Sequence, residues 1–197
     1  MKICFDFDGV ILDTERALKY YADYYSYFEL GGKTRKRSNT LTQEKSFDWS
    51  TEETEYFYKK YYIKASKTAP FVPGAKEILK KLKSEGHELY IVSGRYNHYF
   101  DEIQLALDRL KTLGIEFSGY FWNDYNKGQT ADKIGAELMV EDNPKHVASF
   151  EGKKCKCLFF KDVKIGDYTA ENVKKIDTWM DIYLEVQKLM KQSKNHQ

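Results

Sequence analysis

Apolar residues along this chain follow two alternating rhythms. Short, nearly continuous apolar runs predict strands at Ile3–Phe7, Glu88–Val92, Tyr120–Trp122, Leu138–Val140 and Cys157–Phe160. Between the later runs, apolar residues recur at three- and four-residue spacing. This predicts helices over Ala75–Glu85, His98–Leu113, Thr130–Ala136 and Pro144–Phe150. The Ala75 helix shows its boundary signals: Pro73-Gly74 opens it, Ile78, Leu79 and Leu82 form its apolar stripe, and Gly86 ends it. Strand and helix in alternation predict an α/β fold, a parallel sheet with helices on both faces.

Residues 15–70 interrupt that alternation. Two aromatic-rich segments with helical spacing, Ala17–Leu30 and Glu52–Ala65, are separated by the polar, basic stretch Gly31–Asn39. The segment reads as a small helical cap inserted between the first two strands. The core is then residues 1–14 and 71–197, and the cap is 15–70. Tyr20, Tyr21, Tyr24, Tyr25, Tyr27 and Phe28 in one helix are set against Tyr56, Phe57, Tyr58, Tyr61 and Tyr62 in the other. A two-helix unit needs large side chains to bury enough area, so most of these rings are expected to pack internally, with one or two lining a cleft. Lys33, Arg35, Lys36 and Arg37 form a dense basic run, expected as a solvated loop or as a lure for phosphorylated substrates. The C-terminal stretch from Lys191 is expected to fray.

Composition narrows the function classes. With 32 basic and 30 acidic residues in 197, the net charge of +2 gives no field to drive binding of a nucleic-acid polymer or a membrane surface. Any anion site must be local. Cys4, Cys155 and Cys157 make a sparse, odd set without CxxC spacing, which argues against a disulfide framework or a structural zinc. Cys155 and Cys157 are expected as strand filling. No apolar run reaches the roughly 20 residues of a membrane helix, and Asp6 and Asp8 break the N-terminal apolar stretch. The expectation is a soluble, cytoplasmic protein.

In an open parallel sheet, ligands bind beyond the carboxyl ends of the strands. What this chain places there is chemical: Asp6 and Asp8 after the first strand, Ser93, Gly94 and Arg95 after the second, Asp124 and Lys127 after the third, Glu141, Asp142 and Asn143 after the fourth. Of the two candidate lysines, Lys127 sits at the strand end. Lys133 lies six residues on, about 9 Å further along a helix running away from that edge, and is expected at the surface.

Four stretches together resemble the haloacid dehalogenase superfamily, specifically its magnesium-dependent phosphatases: Asp6-Phe-Asp8-Gly-Val, Ile91-Val-Ser93-Gly-Arg95, Lys127, and Met139-Val-Glu141-Asp142-Asn-Pro. The resemblance covers about residues 1–160 and implies a Rossmann-like doubly wound sheet with an inserted cap. Within the superfamily, Phe71-Val-Pro-Gly-Ala75 leading into Gly86-His-Glu-Leu-Tyr-Ile-Val is similar to small nucleotidases of the 5'(3')-deoxyribonucleotidase type.

The resemblance implies that Asp6 attacks phosphorus to form an aspartyl-phosphate and that Asp8 protonates the leaving oxygen and later takes a proton from water. Ser93 and the Gly94 N–H would hold phosphoryl oxygens, with Lys127 as the cation. Arg95 is either a further phosphate contact or a structural ion pair. An all-oxygen donor set suits Mg2+. Asp6 and Asp142 are expected as side-chain ligands, Asp8 through its carbonyl, and Glu141 directly or through water, with the choice between Glu141 and Asp142 left open.

The leading expectation is hydrolysis of a small phosphorylated metabolite, best a nucleoside monophosphate. The alternatives are a sugar-phosphate phosphatase or phosphomutase of the same superfamily and, more remotely, an inactive binding or scaffold protein.

Overall fold

The computed structural model describes residues 1–32, 45–160 and 167–194. The basic run at Lys33, Arg35, Lys36 and Arg37 lies outside the described residues, as do 195–197. Within them the strands β1 (Lys2–Phe5), β2 (Glu88–Val92), β3 (Gly119–Phe121), β4 (Leu138–Glu141), β5 (Lys156–Phe160) and β6 (Val173–Ile176) form one parallel sheet in the order β3-β2-β1-β4-β5-β6. The first strand is therefore central, with Cys4 opposite Tyr90 of β2 and Met139 of β4.

Continuous apolar runs follow from burial on both faces, because alternate side chains feed opposite layers. Ile3, Phe5, Leu89, Ile91, Leu138, Val140, Leu158 and Phe160 join one buried cluster. Cys4, Val92, Met139, Cys157 and Phe159 join the other. The first layer is covered by α4 (Ala75–Ser84), α5 (Glu102–Lys111) and α8 (Trp179–Lys194), through Leu79, Leu82, Ala106, Leu110, Trp179, Ile182 and Val186. The second is covered by α6 (Lys127–Ile134) and α7 (Pro144–Val147), through Ala131 and Val147. All three cysteines are buried and free, and burial pushes the Cys4 thiol up to about 12.

Several boundaries differ from the sequence expectation. β1 stops at Phe5 because the amides of Ile11 and Leu12 both donate to the Phe7 carbonyl, at 3.0 Å each, and turn the chain. Asp6 and Asp8 thus stand on a turn beyond the strand, although the Asp6 amide still donates to the Val140 carbonyl at 2.9 Å. The helix expected from His98 begins at Glu102, where the Asp101 side chain caps it by accepting from the Gln104 amide. Residues 96–100 are left as a loop.

β6 and α8 have no counterpart in the expectation. β6 carries two exposed lysines on an edge strand, which hides its period-two pattern. α8 buries Trp179, which stacks on Phe5 at 5.4 Å and donates its Nε1–H to the Val10 carbonyl at 2.9 Å. Residues Lys191–Lys194, expected to fray, complete this helix.

Between β1 and β2 lie α1 (Thr14–Tyr24), α2 (Thr51–Phe57) and α3 (Ile63–Thr68). Wide, π-helical turns continue α1 over Tyr25–Glu29 and join α2 to α3 over Tyr58–Tyr62. These helices bury a cluster of their own: Leu18, Ala22, Tyr25, Phe57, Tyr61 and Ala65, with Phe47. Of the eleven cap rings, Tyr25, Phe57 and Tyr61 are buried in this cluster and Tyr21, Tyr58 and Tyr62 pack against it, as expected for most of them. Tyr20, Tyr24, Tyr27, Phe28 and Tyr56 are exposed, because two helices cannot turn rings on every side toward one seam.

Candidate active site

The carboxyl edge of β2, β1 and β4 gathers the charged groups. Lys127, the first residue of α6, has a side chain with no exposure, and its Nζ lies 2.8 Å from Asp6 Oδ1 and 2.5 Å from Glu141 Oε2. Asn126 caps this helix and aims its first turn at the sheet edge. Burial acts to lower the Lys127 pKa, but Asp6 and Glu141 outweigh it and hold the ammonium well above its ordinary value. Burial likewise acts to raise Glu141, but Lys127, and then His146, hold it below the usual carboxylate range. Glu141 Oε1 also accepts the amides of Asp142 (3.0 Å) and Asn143 (2.8 Å).

Asp8 is held by different partners. Arg95 reaches it with Nε at 2.9 Å from Oδ2 and Nη2 at 2.5 Å from Oδ1, and the Thr14 hydroxyl donates to Oδ1 at 2.7 Å. Ser93 is buried beside Arg95, whose amide meets its Oγ at 3.3 Å.

The turn that carries both acids depends on Gly9. Its φ is +83°, and a Cβ there would fall 1.9 Å from Asp142 Oδ2, so a side chain would displace that carboxylate. The nearest carboxylate oxygens of Asp6, Glu141 and Asp142 lie within 4.8 Å of one another. This set of hard oxygen donors fits a divalent ion such as magnesium.

These groups open onto a cavity of about 250 Å³. Asp6, Asp8, Ser93, Gly94, Arg95 and Lys127 line its floor, and Thr14, Glu15, Leu18 and Tyr62 line the cap side. Tyr96, His98, Tyr99, Glu102, Tyr125 and His146 complete the wall. Burial, then Asp8, raises the Tyr62 pKa, which keeps its phenol neutral.

Two residues singled out from the sequence lie elsewhere. Asp124 turns into the first turn of α6, where it accepts from the Thr130 hydroxyl and the Asn126 amide, and Lys133 is exposed. The wall residues went unread in the sequence because they come from loops, from the first turns of α1 and α5, from α7 and from one position of the π-helical turn, where no period singles them out. Two had a local signal. Tyr125 stands two residues before Lys127, and His146 stands one helical turn after Asp142, with Nδ1 3.6 Å from Glu141 Oε2.

Residues 3–116 match the family model described as haloacid dehalogenase-like hydrolase. The chain belongs to that family. A protein from Chlorobaculum tepidum named for 5'(3')-deoxyribonucleotidase is 28% identical over 118 residues, covering 57% of this chain and 53% of that relative. The match thus spans about half the length of that relative. A nucleotidase from Clostridium acetobutylicum is 23% identical over 194 residues, covering 98% of this chain and 97% of its own. Among solved structures, one from Thermotoga maritima named for β-phosphoglucomutase has a TM-score of 0.61 at 17% identity, covering 94% and 99% of the two chains. That likeness speaks for the fold. Among the described residues, no helix is long and apolar enough to cross a membrane.

Proposed function

We propose that this chain is a magnesium-dependent phosphoric monoester hydrolase that works through an aspartyl-phosphate, with a nucleoside monophosphate as its substrate. The observation that carries the reading is the pairing of buried Asp6 with Lys127 at 2.8 Å on the floor of a cleft, beside Asp8, Ser93 and Gly94. An Asp6 carboxylate oxygen attacks phosphorus as the ester P–O bond breaks, and Asp8 gives its proton to the departing oxygen. Water then attacks the aspartyl-phosphate, Asp8 takes a proton from it, and phosphate and Asp6 are released. Ser93, the Gly94 N–H and Lys127 hold the phosphoryl oxygens where charge develops.

Charge supports the metal. With Asp8 carrying the proton it delivers, Asp6, Glu141 and Asp142 against Lys127 and Arg95 leave three negative and two positive groups, a net of −1 before a phosphate dianion enters. Each like-charge pair at 4 Å costs about 4 kcal/mol at an effective dielectric near 20. Magnesium would be held by the side chains of Asp6 and Asp142 and the Asp8 carbonyl, and would offset that repulsion. Glu141 is the indirect partner, because Lys127 and two backbone amides already occupy its oxygens.

The substrate is a small phosphorylated metabolite, in keeping with a cavity below the roughly 300–1,000 Å³ of typical ligand pockets. The aromatic wall of Tyr62, Tyr96, Tyr99 and Tyr125 favours a flat leaving group. The nucleotidase names of both relatives point the same way. A sugar-phosphate phosphatase or phosphomutase is the second reading, favoured by the mutase-named structure.

The test is hydrolysis of 4-nitrophenyl phosphate with magnesium and with chelator, followed by nucleoside monophosphates and sugar phosphates ranked by kcat/KM. Metal-dependent turnover, led by a nucleotide and needing no bisphosphate activator, is expected. No turnover of any phosphomonoester would overturn the reading.

A further inference from the structure

Arg95 is the cation in the cleft whose task the motifs leave undecided. Its side chain is 1% exposed, and both members of one guanidinium edge, Nε and Nη2, are spent on the two oxygens of Asp8. Nη1 donates to the Glu102 carbonyl, at 3.4 Å. Two rings crowd the group: Cζ lies 5.0 Å from the Phe7 ring centroid and 5.8 Å from that of Tyr62 in the cap. The edge that could grip a phosphoryl group in a fork is thus already filled by a carboxylate, and the side chain is enclosed between neighbouring rings. Lys127, by contrast, lies directly against Asp6, where the phosphoryl group would arrive.

We propose that Arg95 is a positioning residue for Asp8, not a phosphate ligand. It fixes the direction of the carboxylate that must meet the leaving oxygen, and Thr14 adds a third hydrogen bond to the same group. Orientation of this kind matters because a misplacement of about 1 Å costs roughly 10²-fold in rate. The cap takes part through Tyr62, whose ring lies 5.8 Å from the guanidinium carbon.

The inference rests on the phosphatase reading above, and the experiment separates the two. Arg95→Ala, with Arg95→Lys as the charge-preserving variant, is assayed on 4-nitrophenyl phosphate, whose phenolate leaves without a proton, and on an alkyl phosphate, whose alkoxide needs one. Asp8→Asn and the Asp8→Asn/Arg95→Ala double variant complete a cycle. Binding of inorganic phosphate in the presence of magnesium is measured by calorimetry on the wild type and on each Arg95 variant.

Positioning predicts that kcat/KM, which reports the first phosphoryl transfer and not the shared hydrolysis of the aspartyl-phosphate, falls on the order of 10²-fold on the alkyl ester and by less than about tenfold on the aryl ester. Lysine should fail to rescue, because it lacks the fork. Adding Arg95→Ala to Asp8→Asn should cost nothing further. Phosphate affinity should hold within about threefold. Equal losses on both esters, full additivity in the cycle, or a phosphate affinity reduced by tenfold or more would each overturn the assignment. The phosphatase reading fails separately, if the wild type turns over neither ester.

Discussion

Lys127→Met asks what the buried ammonium does for the fold as well as for chemistry. Methionine is close in length and apolar, so the main change is loss of a positive charge that touches Asp6 at 2.8 Å and Glu141 at 2.5 Å with no exposure of its own. The two carboxylates would then face each other, with Asp142 inside the same 4.8 Å group. Removing one partner of a buried ion pair costs about 3–5 kcal/mol. In a chain of 197 residues each kcal/mol moves the thermal midpoint by about 2–4 °C, so a fall on the order of 10 °C is expected. The assay is thermal and urea unfolding followed by circular dichroism in chelator, with exposed Lys133→Ala as the control, expected within about 0.5 kcal/mol of wild type. Adding Glu141→Gln to Lys127→Met removes one stranded charge, so the double variant should be more stable than the sum of the singles by roughly 1–3 kcal/mol. Magnesium at about 100 times its dissociation constant should return roughly 2.7 kcal/mol. An unchanged midpoint for Lys127→Met in chelator, or strict additivity in the double variant, would refute the reasoning.

Gly9→Ala puts a Cβ 1.9 Å from Asp142 Oδ2 at a φ of +83°, so magnesium affinity by calorimetry and kcat should both drop, kcat by roughly 10²-fold, while circular dichroism stays native. Near-normal values would show that Asp142 can move without cost. Gly128→Ala meets the Ser149 carbonyl oxygen at 2.1 Å, a backbone atom that cannot swing aside. It should lose about 1–3 kcal/mol in urea unfolding, and a neutral result would mean that α6 packs more loosely on the turn Ala148–Phe150 than described. Burial first, then the N-terminal amino group, lowers the His87 pKa, so the folded chain holds this imidazole neutral while the unfolded chain protonates near pH 6.5. Its stabilisation is present above that pH and is lost as pH falls. The unfolding midpoint of wild type relative to His87→Gln should therefore decline from pH 8 to pH 5, and a flat or rising difference would remove His87 as the cause.

The parts of this fold that were legible in sequence are those where burial is uniform. β2 was readable at both ends because Glu88–Val92 is a short, largely apolar run between a glycine turn and a serine. β6 was not, because an edge strand exposes Lys174 and Lys175 and leaves Val173 and Ile176 as its apolar residues. The acids and the lysine were legible because a parallel sheet sends the ends of neighbouring strands to one edge, so order along the chain predicts proximity. Asp124 illustrates the limit of that rule: it stands at a strand end, yet it is spent on the first turn of α6. Tyr62 shows the complementary limit. One cap ring in eleven candidates lines the cleft, and its neighbour Tyr61 is buried in the cap, because each residue along a helix rotates the side chain by about 100°.

Under the proposed aspartyl-phosphate mechanism, the two cations would divide their labour in a way that follows from their shapes. A nucleophile must leave its counter-charge when it bonds to phosphorus, and a lysine ammonium meets Asp6 through a single contact, so little is lost when the oxygen turns to attack. The same ammonium, anchored on Glu141, would stay in place to meet the phosphoryl oxygens. A proton carrier instead must keep one orientation through both halves of the reaction, and the planar fork of Arg95 fixes Asp8 at two atoms. Exchanging the two would fail on both counts: an arginine at 127 would clamp the nucleophile, and a lysine at 95 would let the acid swing.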